Sequence, residues 1–231
     1  MICYHMFMIY IDASRYNNTD RRTGVENYSY YLINELVRSH GDDITLIAPR
    51  SIDLNVPQIV IPFPRLWTQL RLSWYLLWNR AVCTLFVPSH VIPLITARCT
   101  ITTVHDVAFK RFPDSYSRWS RWYLDWGVRR AVKKAKAIIT PSQATKEDLI
   151  RFYKADDAKI QVIPLGFERM NDSTEDARLS QGFAARLPQD LAPKSYFLFI
   201  GRIETKRTWA LWCALLGIFS SPSQFSVGVG W

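Results

Sequence analysis

Two adjacent residues with the means to move or hold a proton, His105 and Asp106, follow the β-branched run Ile101 to Val104. Pro141-Ser142 follows a second such run, Ala137 to Thr140, and Gly166 follows a third, Lys159 to Pro164. Buried parallel strands have this composition, and the intervening segments are long enough for crossover helices. Ligand-handling side chains of an open α/β sheet lie just past the carboxyl ends of its strands. A site is therefore expected along that edge. His105-Asp106 reads equally as a catalytic pair or as a local loop hydrogen bond. Ser142 has the position of an N-cap for a helix over 144–153. The histidines are scattered, so no metal-ligand cluster is expected.

A second place for chemistry lies near the start. Phe7 to Ile11 reads as a strand ending in Asp12-Ala13-Ser14, followed by a polar loop and Thr23-Gly24-Val25-Glu26. Thr23 and Glu26 have capping-box spacing. Apolar residues then recur with helical period at Val25, Tyr28, Leu32, Ile33, Leu36 and Val37. Gly24 is either a turn glycine or the open mouth of a helix N-terminus facing an anion. The segment resembles a Rossmann first turn without G-x-G-x-x-G, so a classical dinucleotide site is not expected.

The elements that must position these residues continue through the chain. Ile44 to Ala48, Ile59 to Pro62 and Thr84 to Val87 read as strands, the last closed by Pro88-Ser89-His90. Leu66 to Arg80 reads as a helix with Trp67, Leu70, Trp74, Tyr75 and Trp78 on a core-facing side. In the segment 116–136, Trp119, Trp122, Tyr123 and Trp126 share one helical face that Arg130 and Lys133 continue. Val128, Ala131, Val132 and Ala135 lie opposite. Such a helix buries its second half while its first half projects. Trp and Tyr flanked by cations suit a membrane interface or an anionic surface, and equally suit packing on a neighbouring helix.

The 231 residues, 48% hydrophobic, suffice for one large α/β domain or two small ones. With 29 Lys+Arg against 20 Asp+Glu the net charge is +9, which favours an anionic partner. Four cysteines without C-x-x-C spacing give no disulfide scaffold or metal knuckle. No signal-peptide pattern opens the chain, and the apolar run Trp209 to Phe219 is short for a bilayer span. The expected compartment is the cytoplasm, and attachment to the inner face of the cell membrane stays open.

The ordered set DASR…RTGVENY, LWTQLRL…VPSHVIPL, TVHDVAF, AKAIITPSQATKEDLIRFY, KIQVIPLGF and FLFIGRIETKR resembles family 4 glycosyltransferases of the two-domain GT-B type. The resemblance implies a Rossmann-like parallel sheet with helices on both faces over 1–167 as the acceptor-side domain. A linker over 168–194 and the start of a donor-binding domain over 195–207 would follow. It implies a retaining transfer from a nucleotide-sugar donor to a lipid-linked or saccharide acceptor, with no bound metal or other cofactor. His105 would sit beside the transferred sugar and Asp106 would orient it or the acceptor. Gly24 would approach the donor phosphate or the acceptor. Arg202 would bind the donor diphosphate, stabilising the departing charge. Arg207 stands where the family usually has lysine, beside Lys206, and arginine meets phosphate with a different geometry.

The family's paired glutamates, which hold donor sugar and ribose, have no counterpart before the last residue. Residues 208–231 contain no Asp, Glu, Lys or Arg, where the overall 21% would give about five, and they read as an atypical, out-of-frame tail. A competing class is a non-catalytic module for anionic partners, using the aromatic and basic residues of 116–136 on a membrane surface or single-stranded nucleic acid. No nucleic-acid motif accompanies them. From these readings, a turnover assay over a broad panel of nucleotide sugars is expected to give little or no transfer by this chain, and robust transfer would contradict the expectation.

Overall fold

The structure is a computed structural model that describes residues 8–17, 22–62 and 67–166. Described residues up to Leu165 belong to one unit. The expected linker, the strand from Tyr196 and the tail from Thr208 lie outside the described residues, as do Arg202, Lys206 and Arg207.

Seven strands, β1 (Ile9–Asp12), β2 (Ile44–Ala48), β3 (Gln58–Val60), β4 (Thr84–Val87), β5 (Cys99–Thr103), β6 (Ala137–Thr140) and β7 (Ile160–Val162), form one sheet. Their order is β3-β2-β1-β4-β5-β6-β7 and each neighbouring pair is parallel. Parallel sheets survive only with both faces covered by helices, and near-continuous apolar runs are what strands buried on both sides carry. Along one face, Ile11, Leu46 and Phe86 stand in register and pack with Ile33, Leu36 and Val37 of helix α1 (Gly24–His40). On the other, Ile47, Leu85 and Val87 pack against Trp67, Leu72 and Leu76. Further along that side Ile138 and Ile160 meet Val128 and Ala131 of α4 (Arg118–Lys134) and Leu149 of α5 (Gln143–Tyr153). The fold is the doubly wound α/β architecture expected from the alternation.

Local chemistry sets the helix starts. Thr23 and Glu26 make the reciprocal capping box, and Ser142 caps α5 by accepting from the Thr145 amide. α5 stops at Lys154, which takes a left-handed φ of 54° and satisfies the last carbonyls in the manner of a C-terminal cap.

The expected aromatic helix over 66–80 is corrected. Trp67–Leu72 is a π-helical turn that runs into the short α2 (Ser73–Trp78). A π turn closes i to i+5, so Trp67 and Leu72 share the inward side and the α-helical phase is lost. Leu70, Trp74 and Trp78 are consequently 52%, 63% and 70% exposed instead of core.

The reading of α4 stands in part. Gly127, Val128 and Ala131 are buried, whereas Trp119 and Trp122 project at 81% and 62% exposure. The packing contrast generates a stability test. Leu149→Ala, which empties a fully buried site, should cost about 2–5 kcal/mol. Trp119→Ala should stay within about 0.5 kcal/mol. Urea unfolding of the two variants checks both, and equal losses would contradict the assigned burial.

Candidate functional site

The strand order reverses between β1 and β4, so the loops leaving their carboxyl ends diverge and open a crevice. Asp12 closes β1 and is 2% exposed. Its carboxylate accepts from the Ser14 amide at 2.9 Å and the Thr68 hydroxyl at 3.4 Å. Burial pushes its pKa above the ordinary value, against the bonds from Ser14, the charge of Arg15 and the bond from Thr68.

Across the crevice, β4 runs into Pro88-Ser89-His90, and the buried Thr102 hydroxyl of β5 donates to the Ser89 carbonyl at 2.5 Å. This bond fixes the β4 loop over the end of β5. His105 follows directly and donates from Nε2 to the Pro88 carbonyl at 3.3 Å. Because a carbonyl only accepts, that nitrogen carries the proton and Nδ1 keeps the lone pair. The Tyr28 ring of α1 meets the imidazole edge-on at 4.7 Å between centroids, and its hydroxyl shares a 3.2 Å hydrogen bond with Thr103. The His105 carbonyl accepts from the Thr145 hydroxyl of α5 at 3.2 Å. Burial pushes the His105 pKa down, and the Pro88 carbonyl and Asp106 charge oppose it. Asp106 is exposed, and its Oδ1 accepts from the Ala108 amide at 2.9 Å at the start of α3 (Ala108–Arg111). That carboxylate oxygen serves the loop; the imidazole ring faces the crevice loop.

Gly24 is the first residue of α1, and a Cβ built on it would meet nothing within 4 Å. Space is open there, and Glu26 places a carboxylate in the same turn. The Thr23 amide holds Glu26 below the ordinary carboxylate range, outweighing burial, and Arg15 lies close enough to add to that effect.

Three residues of this edge were not singled out as site residues by the sequence. His90 has a buried Nε2 with no hydrogen-bond partner among the described residues. Burial, with His105 and Arg15 adding to it and Asp106 opposing, pushes its pKa down to about 4, so it is neutral near pH 7. Gly127 backs its ring: a Cβ there would lie 3.6 Å from His90 Cδ2 and 3.5 Å from Val91 Cγ2. Gln69, inside the π turn, is 8% exposed, and its side-chain amide has the Tyr123 side chain of α4 as its polar neighbour. The Tyr123 hydroxyl hydrogen-bonds with the Gln69 side chain and feels the charge of Arg15. His90 could have been found from its place after a strand. Gln69 could not, because the π turn removes the period that would aim it inward.

The expected surface of α4 divides. Trp119 and Trp122 are exposed, with centroids 6.5 Å apart. Arg130, by contrast, donates from Nη2 to the Pro93 and Leu94 carbonyls at 3.0 and 2.8 Å and lies over the half-buried Trp126 ring at 5.4 Å. Trp126 and Arg130 therefore serve the fold, because two loop carbonyls and an indole capture the guanidinium. No described helix is long and apolar enough to cross a membrane, and no group of metal-ligating side chains occurs among the described residues.

The family model "Glycosyltransferase Family 4" matches residues 22–169. The chain is 32% identical over 97 residues to the O-antigen chain mannosyltransferase RfbU of Salmonella typhimurium, covering 42% of this chain and 26% of that protein. Two crystal structures of HepE from Anabaena, with UDP and glucose and with UDP-glucose, are similar at 14% identity and TM-score 0.48. They match 78% and 77% of this chain over 50% and 49% of theirs. The chain thus spans about a quarter of that relative and half of those structures.

The depressed His90 has a consequence for stability. Folded His90 takes a proton near pH 4 and the unfolded side chain near 6.5, so the unfolded state binds more protons between these values. The contribution is complete above pH 6.5 and is lost as pH falls toward 4, by up to about 3 kcal/mol. Melting curves should decline over this window less steeply in His90→Gln than in the wild type. Parallel curves would contradict the assignment.

Proposed function

The chain belongs to glycosyltransferase family 4, and from that premise we propose that its described sheet is the acceptor-side domain of a retaining, nucleotide-sugar-dependent transferase. The observation that supports this reading is the crevice at the strand-order reversal, with His105 held at its wall by Pro88, Tyr28 and Thr145. In this reading the acceptor hydroxyl lies in the crevice and attacks the sugar's anomeric carbon. The bond from that carbon to the donor phosphate breaks, a new glycosidic bond forms, and the acceptor proton departs with the diphosphate. His105 Nδ1, with its lone pair, accepts a hydrogen bond from a hydroxyl of the transferred sugar. Asp106 keeps that loop in place through Ala108. Arg202, Lys206 and Arg207 are assigned to the diphosphate, whose leaving charge they would stabilise. The donor is a substrate and no resident cofactor or metal is invoked.

The likeness to a mannosyltransferase of O-antigen synthesis supports mannose or a related hexose, and a surface-polysaccharide acceptor carried on lipid. A lipid-borne acceptor sets the work at the cytoplasmic face of the cell membrane. The reduced patch of Trp119 and Trp122 with Arg118 and Arg121 is the part of α4 left for that contact, because its indoles and cations are exposed.

Saturation-transfer NMR of the full chain with methyl α-mannoside, α-glucoside and α-rhamnoside tests the reading. At least one should bind. Sedimentation with anionic vesicles should drop for the Trp119→Ala/Trp122→Ala double variant. A chain that binds none of the glycosides would contradict the acceptor-side assignment.

A further inference from the structure

We propose that Gln69 and His90 form a neutral hydrogen-bonding floor that reads a hydroxyl group of the bound saccharide acceptor. The inference rests on the acceptor-side reading above and names residues for it.

The first support is what the His90 ring lacks. It carries a buried Nε2 with no hydrogen-bond partner among the described residues, beside a buried Gln69 whose amide has the Tyr123 side chain as its polar neighbour. A folded chain leaves such a buried polar atom unsatisfied at a cost, and a ligand or water in the crevice removes it. The Gln69 residue is 8% exposed and the His90 ring is sunk against Gly127, so neither is a solvated surface group.

The second support is convergence. Arg15, at the end of β1, acts electrostatically on Asp12, His90 and Tyr123. Tyr123 faces Gln69, and Gly127, one turn along α4, touches His90. Thr68, the neighbour of Gln69, holds Asp12. Four segments distant in sequence thus turn polar atoms toward the same corner of the crevice.

The third support is the backbone. Gln69 sits in the π turn Trp67–Leu72, pinned by the Trp67 Nε1 bond to the Ile61 carbonyl at 2.8 Å and by the buried Leu72. Such wide turns are rare and gather at functional sites. Here the turn places an amide inward within a segment whose neighbours Leu70 and Arg71 are exposed.

The chemistry favours a hydroxyl over a phosphate. A neutral imidazole and a carboxamide each offer a donor and an acceptor, which matches an O–H group. A phosphate would meet no formal positive charge from this pair, and Arg15 at the same corner already acts on the Asp12 carboxyl.

The test uses the full chain and the methyl glycoside of the three above that binds best, with Gln69→Leu and His90→Phe. Each substitution removes the hydrogen-bonding group and keeps most of the volume. Both variants should bind about tenfold more weakly, the loss of one good hydrogen bond, with melting temperatures equal to or above the wild type. A purely structural role predicts the opposite pairing, lowered melting temperature with unchanged affinity, and overturns the proposal. Glycosides lacking one hydroxyl add a second reading. One deoxy analogue should bind wild type and variants alike, and coupling to none of the deoxy positions overturns the proposal. If the wild type binds a glycoside and the variants bind it equally, this inference falls alone. If the wild type binds none, it falls together with the acceptor-side reading.

Discussion

Everything at the carboxyl edge depends on the reversal of strand order between β1 and β4. Right-handed crossovers send the chain one way from β1 through β3 and the other way from β4 through β7. The loops after β1 and β4 must then leave in opposite directions, and no side chain can bridge them by sequence proximity. A gap in the middle of the edge is a consequence of topology. The protein lines it from both sides, with Asp12 from β1 and the Pro88-to-His90 loop from β4.

The electrostatics of that gap follow from burial more than from charge pairing. A net +9 chain has cations enough to line a site, yet the deepest groups here are drawn toward neutrality. Burial raises Asp12 and lowers His90 and His105, each change favouring the uncharged form. Such a lining suits hydroxyl groups, which lose little on leaving water when both a donor and an acceptor await them. The formal charge is spent elsewhere, as in the Arg111–Asp148 pair joining α3 to α5 and the Lys146–Asp157 pair.

The sheet was legible because parallel strands leave runs such as Ile44 to Ala48 and Ala137 to Thr140 bounded by helix-start chemistry. Thr23 and Ser142 were legible as caps for the same local reason: a cap depends on the next three residues. What escaped was set by tertiary geometry. Trp74 and Trp78 looked like core until one π turn shifted the phase. Arg130 stood on a face that suited a membrane surface or a neighbouring helix alike, until the Pro93 and Leu94 carbonyls reached it from thirty-odd residues away in sequence. His90 and His105 were scattered by number and adjacent in the fold, because β4 and β5 are neighbours.

Asp125 gives α4 a mechanical character. At 1.5 Å per residue the helix is about 25 Å long, and its buried residues lie in the second half. Between the two halves, Asp125 receives Lys110 at 2.6 Å, Arg129 at 2.7 Å and the Tyr153 hydroxyl at 2.8 Å. Burial opposes its charge, but these partners outweigh it and hold its pKa below the ordinary value. The projecting half is thus a cantilever clamped at one carboxylate. Tyr123 and Gly127 flank the clamp, so the carboxylate that fixes α4 sits between the residue beside Gln69 and the residue beside His90.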